Sequence, residues 1–226
     1  MGLKHKFIVI EGGDGAGKGT QAKLLVDRLS KETKVAFFDF PQYEKTLAGK
    51  LVGRYLKGEF GDPLLLSPYI ASLPYALDRI AARDELNKAL EKGVVICNRY
   101  IPSNIGHQAS KLPEDKRDEF ISWLEQMEYG ELKLPKPTLV IYLYVPVEIS
   151  SHLVEKKEAR AYIGGESAKG AKDGHEKDME YQQKVIDVYT KISKERNDWK
   201  LINCVEDGRL LSVEEIHDKI MRIVKS

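Results

Sequence analysis

Short apolar runs recur along the chain and predict buried β-strands. Most of these runs are apolar at successive positions rather than at alternate ones, which is typical of strands that are covered on both faces. The runs are 7–11 (FIVIE), 35–40 (VAFFDF), 94–98 (VVICN), 139–145 (LVIYLYV) and 199–205 (WKLINCV). We therefore predict a sheet of five strands.

Between these runs, apolar residues follow the 3.6-residue period of amphipathic helices. The stripes are Ala22, Leu25, Val26 and Leu29; then positions 70, 73, 77 and 80; then Val213, Ile216, Ile220 and Ile223. Ser212 precedes the last stripe and is a candidate N-cap. Strands that alternate with helices predict a parallel sheet with right-handed crossovers. We therefore predict an α/β fold in a single domain over residues 1–226.

A glycine-rich turn lies between the first predicted strand and the first predicted helix. From Gly12 to Lys18, the segment GGDGAGK fits the phosphate-binding pattern Gly-x-x-x-x-Gly-Lys. Glycines let successive backbone N–H groups converge on phosphate oxygens, and the helix N-terminus adds positive charge. We therefore predict an ATP site formed by Gly13, Gly15, Ala16, Gly17, Lys18, Gly19 and Thr20.

The position after Lys18 departs from the usual pattern. A Ser or Thr hydroxyl normally follows the lysine and binds Mg²⁺. This chain has Gly19 there and Thr20 one residue later, a GKGTQ sequence that resembles loops of the adenylate kinase type. Thr20 is therefore our candidate for a magnesium contact in the loop.

The composition argues against several classes of function. The chain has 226 residues and a net charge of +1, which gives no reason to expect a nucleic-acid groove or a basic membrane face. No apolar run approaches the roughly 20 residues that span a bilayer, and the first run is too short for a signal peptide. We expect a cytoplasmic protein that binds neither nucleic acid nor membrane.

Residues 160–178 (RAYIGGESAKGAKDGHEKD) interrupt the alternation of strands and helices. They are rich in Gly, Lys and Ala and show no periodicity. One interpretation is a disordered surface loop. The other is a lid that closes over a bound nucleotide, because long loops in compact domains often act as lids.

Beyond the loop, four segments resemble the thymidylate kinase family, and the resemblance extends over nearly the whole chain. They are FPQYEKTLAGKLVGRYLKGEFGDP (40–63), LPYALDR (73–79), NRYIPSNIGHQ (98–108) and LPKPTLVIYLYVP (134–146). The resemblance implies the fold of P-loop NTP hydrolases and transfer of the γ-phosphoryl group of MgATP to dTMP, which gives dTDP. It also implies a homodimer, with ATP and Mg²⁺ as the bound cofactors.

The resemblance assigns a pocket for the thymine base to the first two segments. Phe40, Pro41 and Leu56 would form its walls. Tyr75 would stack on the thymine ring, and Arg79 would reach the edge of the base. Independently of the family, Tyr75 and Arg79 are four residues apart and so share one face of a helix.

The resemblance assigns the phosphate and sugar of the acceptor to the loop and the third segment. Arg99 would clamp the acceptor phosphate, and Asp14 would bind the sugar 3′-hydroxyl. Tyr100 would lie against the 2′ carbon and disfavour ribonucleotides. An arginine just past a strand end also lies where open α/β sheets bind ligands. The rest of the pocket would be lined by Ser103, Asn104, His107 and Gln108, of which Gln108 is a candidate to bind the base.

Two departures from the family pattern affect the predicted metal site. The family's Asp-Arg-Tyr segment begins here with Asn98, which keeps the hydrogen-bonding shape of an aspartate but loses its charge. Gly19 replaces the usual hydroxyl. Our magnesium candidates are therefore Thr20 and Asn98, with contacts that can pass through water.

Other departures affect the positive charges around the transferred group. Tyr43 stands where the family carries a second arginine, and Lys45 is an alternative clamp without the bidentate fork. Gly15 stands where some members carry a catalytic arginine, and members without it supply that charge from the lid. The lid cations here are Arg160, Lys169, Lys172 and Lys177. Our candidates for catalysis are Lys18, Arg99 and Arg160.

Two alternatives to a dTMP kinase remain open at this point. The chain could phosphorylate another nucleoside monophosphate or a deoxynucleoside, since GKGTQ is typical of the adenylate type. It could also bind nucleotides without turnover, an interpretation that Asn98 and Gly19 favour.

Overall fold

The computed structural model describes residues 6–151, 153 and 179–226, and its centre is a parallel sheet. The sheet has the strand order β2-β3-β1-β4-β5, and every neighbouring pair is parallel. Its strands are β1 (Phe7–Gly12), β2 (Val35–Asp39), β3 (Val94–Asn98), β4 (Leu139–Tyr144) and β5 (Trp199–Asn203). The predicted α/β architecture with five parallel strands is confirmed.

Helices cover both faces of this sheet. They are α1 (Lys18–Leu29), α2 (Leu47–Leu56), α3 (Pro68–Lys92), α4 (Ile101–Ala109), α5 (Glu114–Glu125), α6 (Met179–Glu195) and α7 (Val213–Lys225). A π-helical turn, Gln126–Glu131, continues α5, and a further helical segment begins at residue 147. The last apolar run is shorter as a strand than predicted, because the chain turns after Asn203 into a small hairpin, β6 (Val205–Glu206) and β7 (Arg209–Leu210).

The sheet separates two apolar cores, because successive side chains of a strand point to opposite faces. On one face, Ile8 and Ile10 pack with the buried stripes of α1 and α7. On the other face, Phe7 and Val9 pack with residues of α3, α4, α5 and α6. Strand β1 is therefore buried throughout, as its continuous apolar sequence predicts.

The structure confirms some of the helix predictions and departs from others. Ser212 caps α7 as predicted, and it forms a capping box with Glu215. Helix α3 exists and continues through Pro74, but much of its predicted apolar stripe faces solvent: Ile70, Leu73 and Leu77 are exposed. Helix α6 was not predicted from the sequence, although Tyr181, Val185, Val188 and Ile192 form a buried stripe on it.

The topology brings several polar strand ends together at one edge of the sheet. Strand β1 lies between β3 and β4, so the loop after β1 opens next to the carboxyl ends of both neighbours. Asp39 at the end of β2 is in register with Asn98 at the end of β3. In open α/β sheets, ligands bind at this edge, where the strand order reverses. The predicted lid, residues 160–178, lies outside the described residues.

Candidate active site

The glycine-rich loop joins β1 to α1 with a backbone that requires glycine. Gly15 and Gly17 have φ values of 79° and 81°, in the left-handed region that other residues rarely adopt. Lys18, the first residue of α1, is 7% exposed and donates through Nζ to the carbonyl of Gly13 at 2.7 Å. The predicted phosphate-binding loop therefore has its lysine folded over its own backbone.

Arg99 and Asp14 form an ion pair beside this loop. Arg99 follows β3 directly, with φ 62°, and its guanidinium bonds the Asp14 carboxylate. The Lys18 ammonium lies 3.8 Å from the same carboxylate. Burial alone raises the pKa of Asp14, but Arg99 and Lys18 together hold it well below its ordinary value. Asp14 is therefore an anion at neutral pH, and both cations approach its Oδ1.

A second Arg99 nitrogen contacts His107, which in turn bonds Tyr181. An Arg99 nitrogen lies 3.1 Å from His107 Nε2, and because arginine can only donate, this imidazole nitrogen accepts. His107 Nδ1 then carries the hydrogen and lies 3.3 Å from the Tyr181 hydroxyl, which itself donates to the His107 carbonyl at 2.8 Å. Gln182, next to Tyr181 on α6, donates to Asp14 at 3.4 Å. Helix α6 thus contributes directly to the site.

Glu11 is a buried carboxylate that joins β1, α4 and α6. It is fully buried, and it accepts from the Tyr100 backbone N–H at 2.9 Å and the Tyr189 hydroxyl at 3.0 Å. The Ser103 hydroxyl also donates to it, with oxygen distances of 2.8 and 2.9 Å. Burial raises the pKa of Glu11. Ser103, predicted to line the pocket, therefore fastens the first turn of α4 to the strand that leads into the loop.

Tyr100 is in the core rather than at the surface of the cleft. Its side chain is 0% exposed and lies between the rings of Phe7 and Phe40, with centroid distances of 5.1 and 5.7 Å. Its hydroxyl donates to the carbonyl of Pro135 at 3.3 Å. A contact between Tyr100 and the sugar thus stays a prediction.

Arg79 forms a buried ion pair with Glu128. Its guanidinium makes two bonds of 2.6 Å to the two carboxylate oxygens of Glu128, and a third of 3.3 Å to the carbonyl of Tyr100. Arg79 and Glu128 are 2% and 0% exposed. These bonds use three of the five N–H groups of a guanidinium. Recognition of the base edge by the other two stays a prediction.

Asn104 and Gln108, both predicted to line the pocket, are buried on α4. Asn104 donates to Glu128 and to the Ser72 carbonyl, both at 3.2 Å. Gln108 is 1% exposed, and its Oε1 has no hydrogen-bond partner within the described part of the chain. Because a buried acceptor without a partner costs free energy, this oxygen is suited to a donor on a ligand.

The predicted walls of the base pocket lie on α2, α3 and the segment between β2 and α2. Tyr75 is half-buried and meets Tyr55 edge to face, with ring centroids 6.2 Å apart. Leu56 and Phe40 are buried, and Pro41 is half-buried. Leu56 and Tyr75 thus share one small apolar cluster, while Phe40 packs in the larger core against Tyr100.

Asp78 holds the Phe-Pro segment against α3 and was missed by the sequence analysis. It is 1% exposed, accepts the backbone N–H of Gln42 at 2.8 Å and also bonds the Thr46 hydroxyl. Thr46 in turn caps α2. Lys45, our alternative second clamp, instead pairs with exposed Glu85 at 3.1 Å.

The residues near Gly19 are chemically suited to magnesium. Among the described residues, no group of three or more His, Cys, Asp or Glu side chains could hold a metal ion. Mg²⁺ in kinases, however, is bound by one or two protein groups together with phosphates and water. Asn98 Oδ1 is buried and has no partner in the described ranges, and Thr20 is exposed at the start of α1. Both oxygens are hard donors, so the residues fit the ion.

The structure does not test the lid prediction, and it shows several acidic site residues that had no signal in the sequence. Arg160 and the other lid cations lie outside the described residues. Much of the polar contact in the site is made by four acidic residues, Glu11, Asp78, Glu128 and Asp39. Isolated acidic residues gave no periodic or motif signal in the sequence.

Within the ranges that the structure describes, no helix is long and apolar enough to cross a bilayer.

Comparison with known proteins places the chain in a family. The family model described as Thymidylate kinase matches residues 10–220. A thymidylate kinase from Mycobacterium tuberculosis is 34% identical over 214 residues, which cover 90% of this chain and 94% of that protein. A probable thymidylate kinase from Pyrococcus abyssi is 31% identical over 226 residues, covering 99% and 97%.

A solved structure supports the same fold. The thymidylate kinase from Candida albicans superposes with a TM-score of 0.73, at 22% identity, and covers 99% of this chain and 92% of its own. That likeness concerns the fold. The sequence relatives and the family model go further, and on their basis this chain belongs to the thymidylate kinase family.

Proposed function

We propose that this chain transfers the γ-phosphoryl group of MgATP to the 5′-phosphate of dTMP. The observation that carries the proposal is the Arg99–Asp14 pair, which is held by His107 beside Lys18 and the glycine-rich loop. A donor nucleotide in the loop and an acceptor phosphate at Arg99 would meet at the same edge of the sheet. The names of the relatives supply the acceptor, a thymidylate.

Phosphoryl transfer requires the protein mainly to position the two substrates and to supply positive charge. Phosphoryl transfer has a loose transition state with charge spread over the equatorial oxygens. A phosphate monoester has its second pKa near 6, so the acceptor is already largely a dianion at pH 7 and needs no strong general base. Lys18 would hold the donor phosphates, and Arg99 would hold the acceptor with a planar fork. Arg160 would add charge from the lid.

Asp14 would exchange partners when the substrate arrives. Its carboxylate bonds Arg99 in the structure, and the acceptor phosphate would compete with it for the guanidinium. The freed carboxylate oxygen would then accept from the sugar 3′-hydroxyl, as the family resemblance implies. Tyr75 and Gln108 would bind the base from opposite helices, α3 and α4.

We further propose that Thr20 and Asn98 hold the Mg²⁺ that accompanies ATP, through bound water where the distance requires it. When bound, the ion would supply positive charge that offsets the negative charge of the donor phosphates. The unpartnered oxygen of Asn98 supports this assignment.

The acceptor specificity is tested by ADP release from MgATP with dTMP, dUMP, AMP, CMP, UMP, GMP or thymidine. We expect dTMP to give the highest kcat/KM. Faster release with AMP or UMP would identify another nucleoside monophosphate kinase. ATP binding without ADP release for any acceptor would identify a binding protein without turnover.

We also propose that the active form is a homodimer. Ile70, Leu73 and Leu77 form an exposed apolar stripe on α3, and Leu47 on the adjacent α2 is 86% exposed. Contiguous exposed apolar surface is typical of an interface. Light scattering after size exclusion should give twice the chain mass, and Leu77→Glu should give one chain mass. A monomeric wild-type chain would overturn this proposal.

A further inference from the structure

A second polar residue stands beside Asn98 at the predicted magnesium site. Asp39 ends strand β2 and is in register with Asn98, which ends β3. Asn98 Nδ2 donates to Asp39 Oδ1 at 2.7 Å. The two side chains therefore act as one unit, although 59 residues separate them in the sequence.

This hydrogen bond fixes the orientation of the Asn98 amide. A carboxylate only accepts, so the amide nitrogen must face Asp39 and the amide oxygen must point elsewhere. That oxygen is buried and lacks a hydrogen-bond partner among the residues the structure describes. A bound water or cation would satisfy it, and Asp39 thus presents Asn98 Oδ1 as an acceptor.

The pair lies against the start of α1, where the usual loop motif reaches the metal. A Cβ added at Gly19 would lie 3.7 Å from Asn98 Nδ2. The missing hydroxyl at Gly19 therefore leaves room beside a negatively charged pair.

We propose that Asp39 supplies, from strand β2, the negative charge that the family pattern places at residue 98, and that the Asp39–Asn98 pair orients the water shell of the Mg²⁺ on the donor nucleotide. Mg²⁺ keeps several of its waters, and carboxylate and amide oxygens are its preferred protein partners. This inference rests on the proposed function, because it requires a metal–nucleotide complex in the loop. On this inference, the negative charge that Asn98 lacks is supplied by Asp39 on the neighbouring strand.

Nucleotide binding measures this role separately from turnover. The dissociation constant of a fluorescent ATP analogue is determined in EDTA and at saturating Mg²⁺, and the ratio of the two gives the metal enhancement. We expect Asp39→Asn to lower this ratio about tenfold, the scale on which outer-shell partners affect metal affinity. In EDTA the variant should bind as tightly as the wild type or slightly more tightly, because the carboxylate no longer repels the triphosphate.

Two further variants sharpen the test. Asp39→Asn combined with Asn98→Asp moves the charge to the neighbouring strand and should recover most of the wild-type ratio. Asp27→Asn removes an exposed aspartate farther along α1 and should leave the ratio unchanged. Equal thermal midpoints would show that all variants fold.

The outcomes separate this inference from the proposed function. If the wild type shows metal enhancement and Asp39→Asn keeps it, the role of Asp39 is wrong while the kinase proposal stands. If the double variant recovers nothing, the charge at residue 39 does not substitute for charge at residue 98, and the inference fails again. A wild type that binds the analogue without any metal enhancement would overturn both proposals.

Discussion

Two arginine–carboxylate pairs lie near Tyr100, and they differ in how far they are buried. Arg79 and Glu128 are 2% and 0% exposed and share two bonds of 2.6 Å. Arg99 is 22% exposed, and its carboxylate partner, Asp14, is also approached by Lys18. The first pair is buried and bidentate, whereas the second contains a guanidinium that a ligand can reach.

This difference indicates that one pair stabilises the structure and the other takes part in catalysis. Removing one partner of a buried pair leaves an uncompensated charge, so such a pair is fixed in place. A pair with one accessible guanidinium can exchange its carboxylate for a phosphate at lower cost, because water reaches Arg99 and nearby Lys18 stabilises the Asp14 carboxylate that is released. We therefore expect the Arg79 pair to control stability and the Arg99 pair to control catalysis.

The largest effect should follow Glu128→Ala. It leaves the Arg79 guanidinium buried without its bidentate partner, and we expect a loss of about 3–5 kcal/mol in the free energy of unfolding. Urea unfolding measures it. Glu131→Ala, an exposed position in the same π-helical turn, is the matched control and should change little. Equal losses in both variants would contradict a special role for the pair.

Arg99→Met should mainly affect turnover. The loss of a charged phosphate clamp should lower kcat/KM for dTMP by about 100- to 1000-fold, the scale of one electrostatic contributor. Arg99→Lys should recover part of this loss, because it keeps the charge without the fork. Stability should fall less than in Glu128→Ala. If Arg99→Met unfolds as readily as Glu128→Ala yet retains its activity, the Arg99 pair controls stability rather than catalysis, and our comparison is wrong.

The pH dependence of stability distinguishes Asp14 from Glu11, because their pKa values shift in opposite directions. Arg99 and Lys18 outweigh burial and lower the pKa of Asp14 from 3.8, while burial raises that of Glu11 from 4.5. A lowered pKa contributes stability that is present above the unfolded-state pKa and is lost as pH falls toward the folded-state value. A raised pKa contributes stability that is present below the unfolded-state pKa and is lost as pH rises.

Asp14→Asn should therefore flatten the acid side of the stability profile. Between about pH 5 and about pH 3, the wild type should lose more free energy of unfolding than this variant does. Asp27→Asn, on the exposed face of α1, should behave like the wild type. Parallel profiles for Asp14→Asn and the wild type would show that the Asp14 pair does not contribute to stability.

The smallest effect should follow Tyr181→Phe, which removes the hydroxyl that holds His107 behind Arg99. One hydrogen bond is worth about 1 kcal/mol, so KM for dTMP should rise by about fivefold, with kcat nearly unchanged. An equal rise in KM for ATP would place the effect outside the acceptor clamp.

The signals that predicted structure correctly are local in sequence. The glycine-rich loop, the stripe of α1 and the Ser212 cap each arise within one turn or a few turns of chain, where backbone sterics and hydrogen bonding decide the outcome. The strands followed from continuous apolar runs for the same reason. The helix α6 stripe, including Val185 and Val188, carried a comparable signal that was not recognised.

The contacts that complete the site join residues distant in sequence. Arg79 meets Glu128 across 49 residues, and Tyr189 meets Glu11 across 178. A carboxylate gives no sign in the sequence of whether it will be buried, paired or exposed, since its state depends on which elements the sheet topology brings beside it.

For this protein, the sequence by itself determined the sheet, the loop that follows its central strand and the family to which both point. Only the tertiary structure decided that Tyr100 is buried, that the apolar stripe of α3 faces outward, and that Asp39 stands beside Asn98. The physical reason is that periodicity and backbone geometry act over a few residues. Charge pairing and burial, in contrast, are settled by the packing of elements that the chain brings together from far apart.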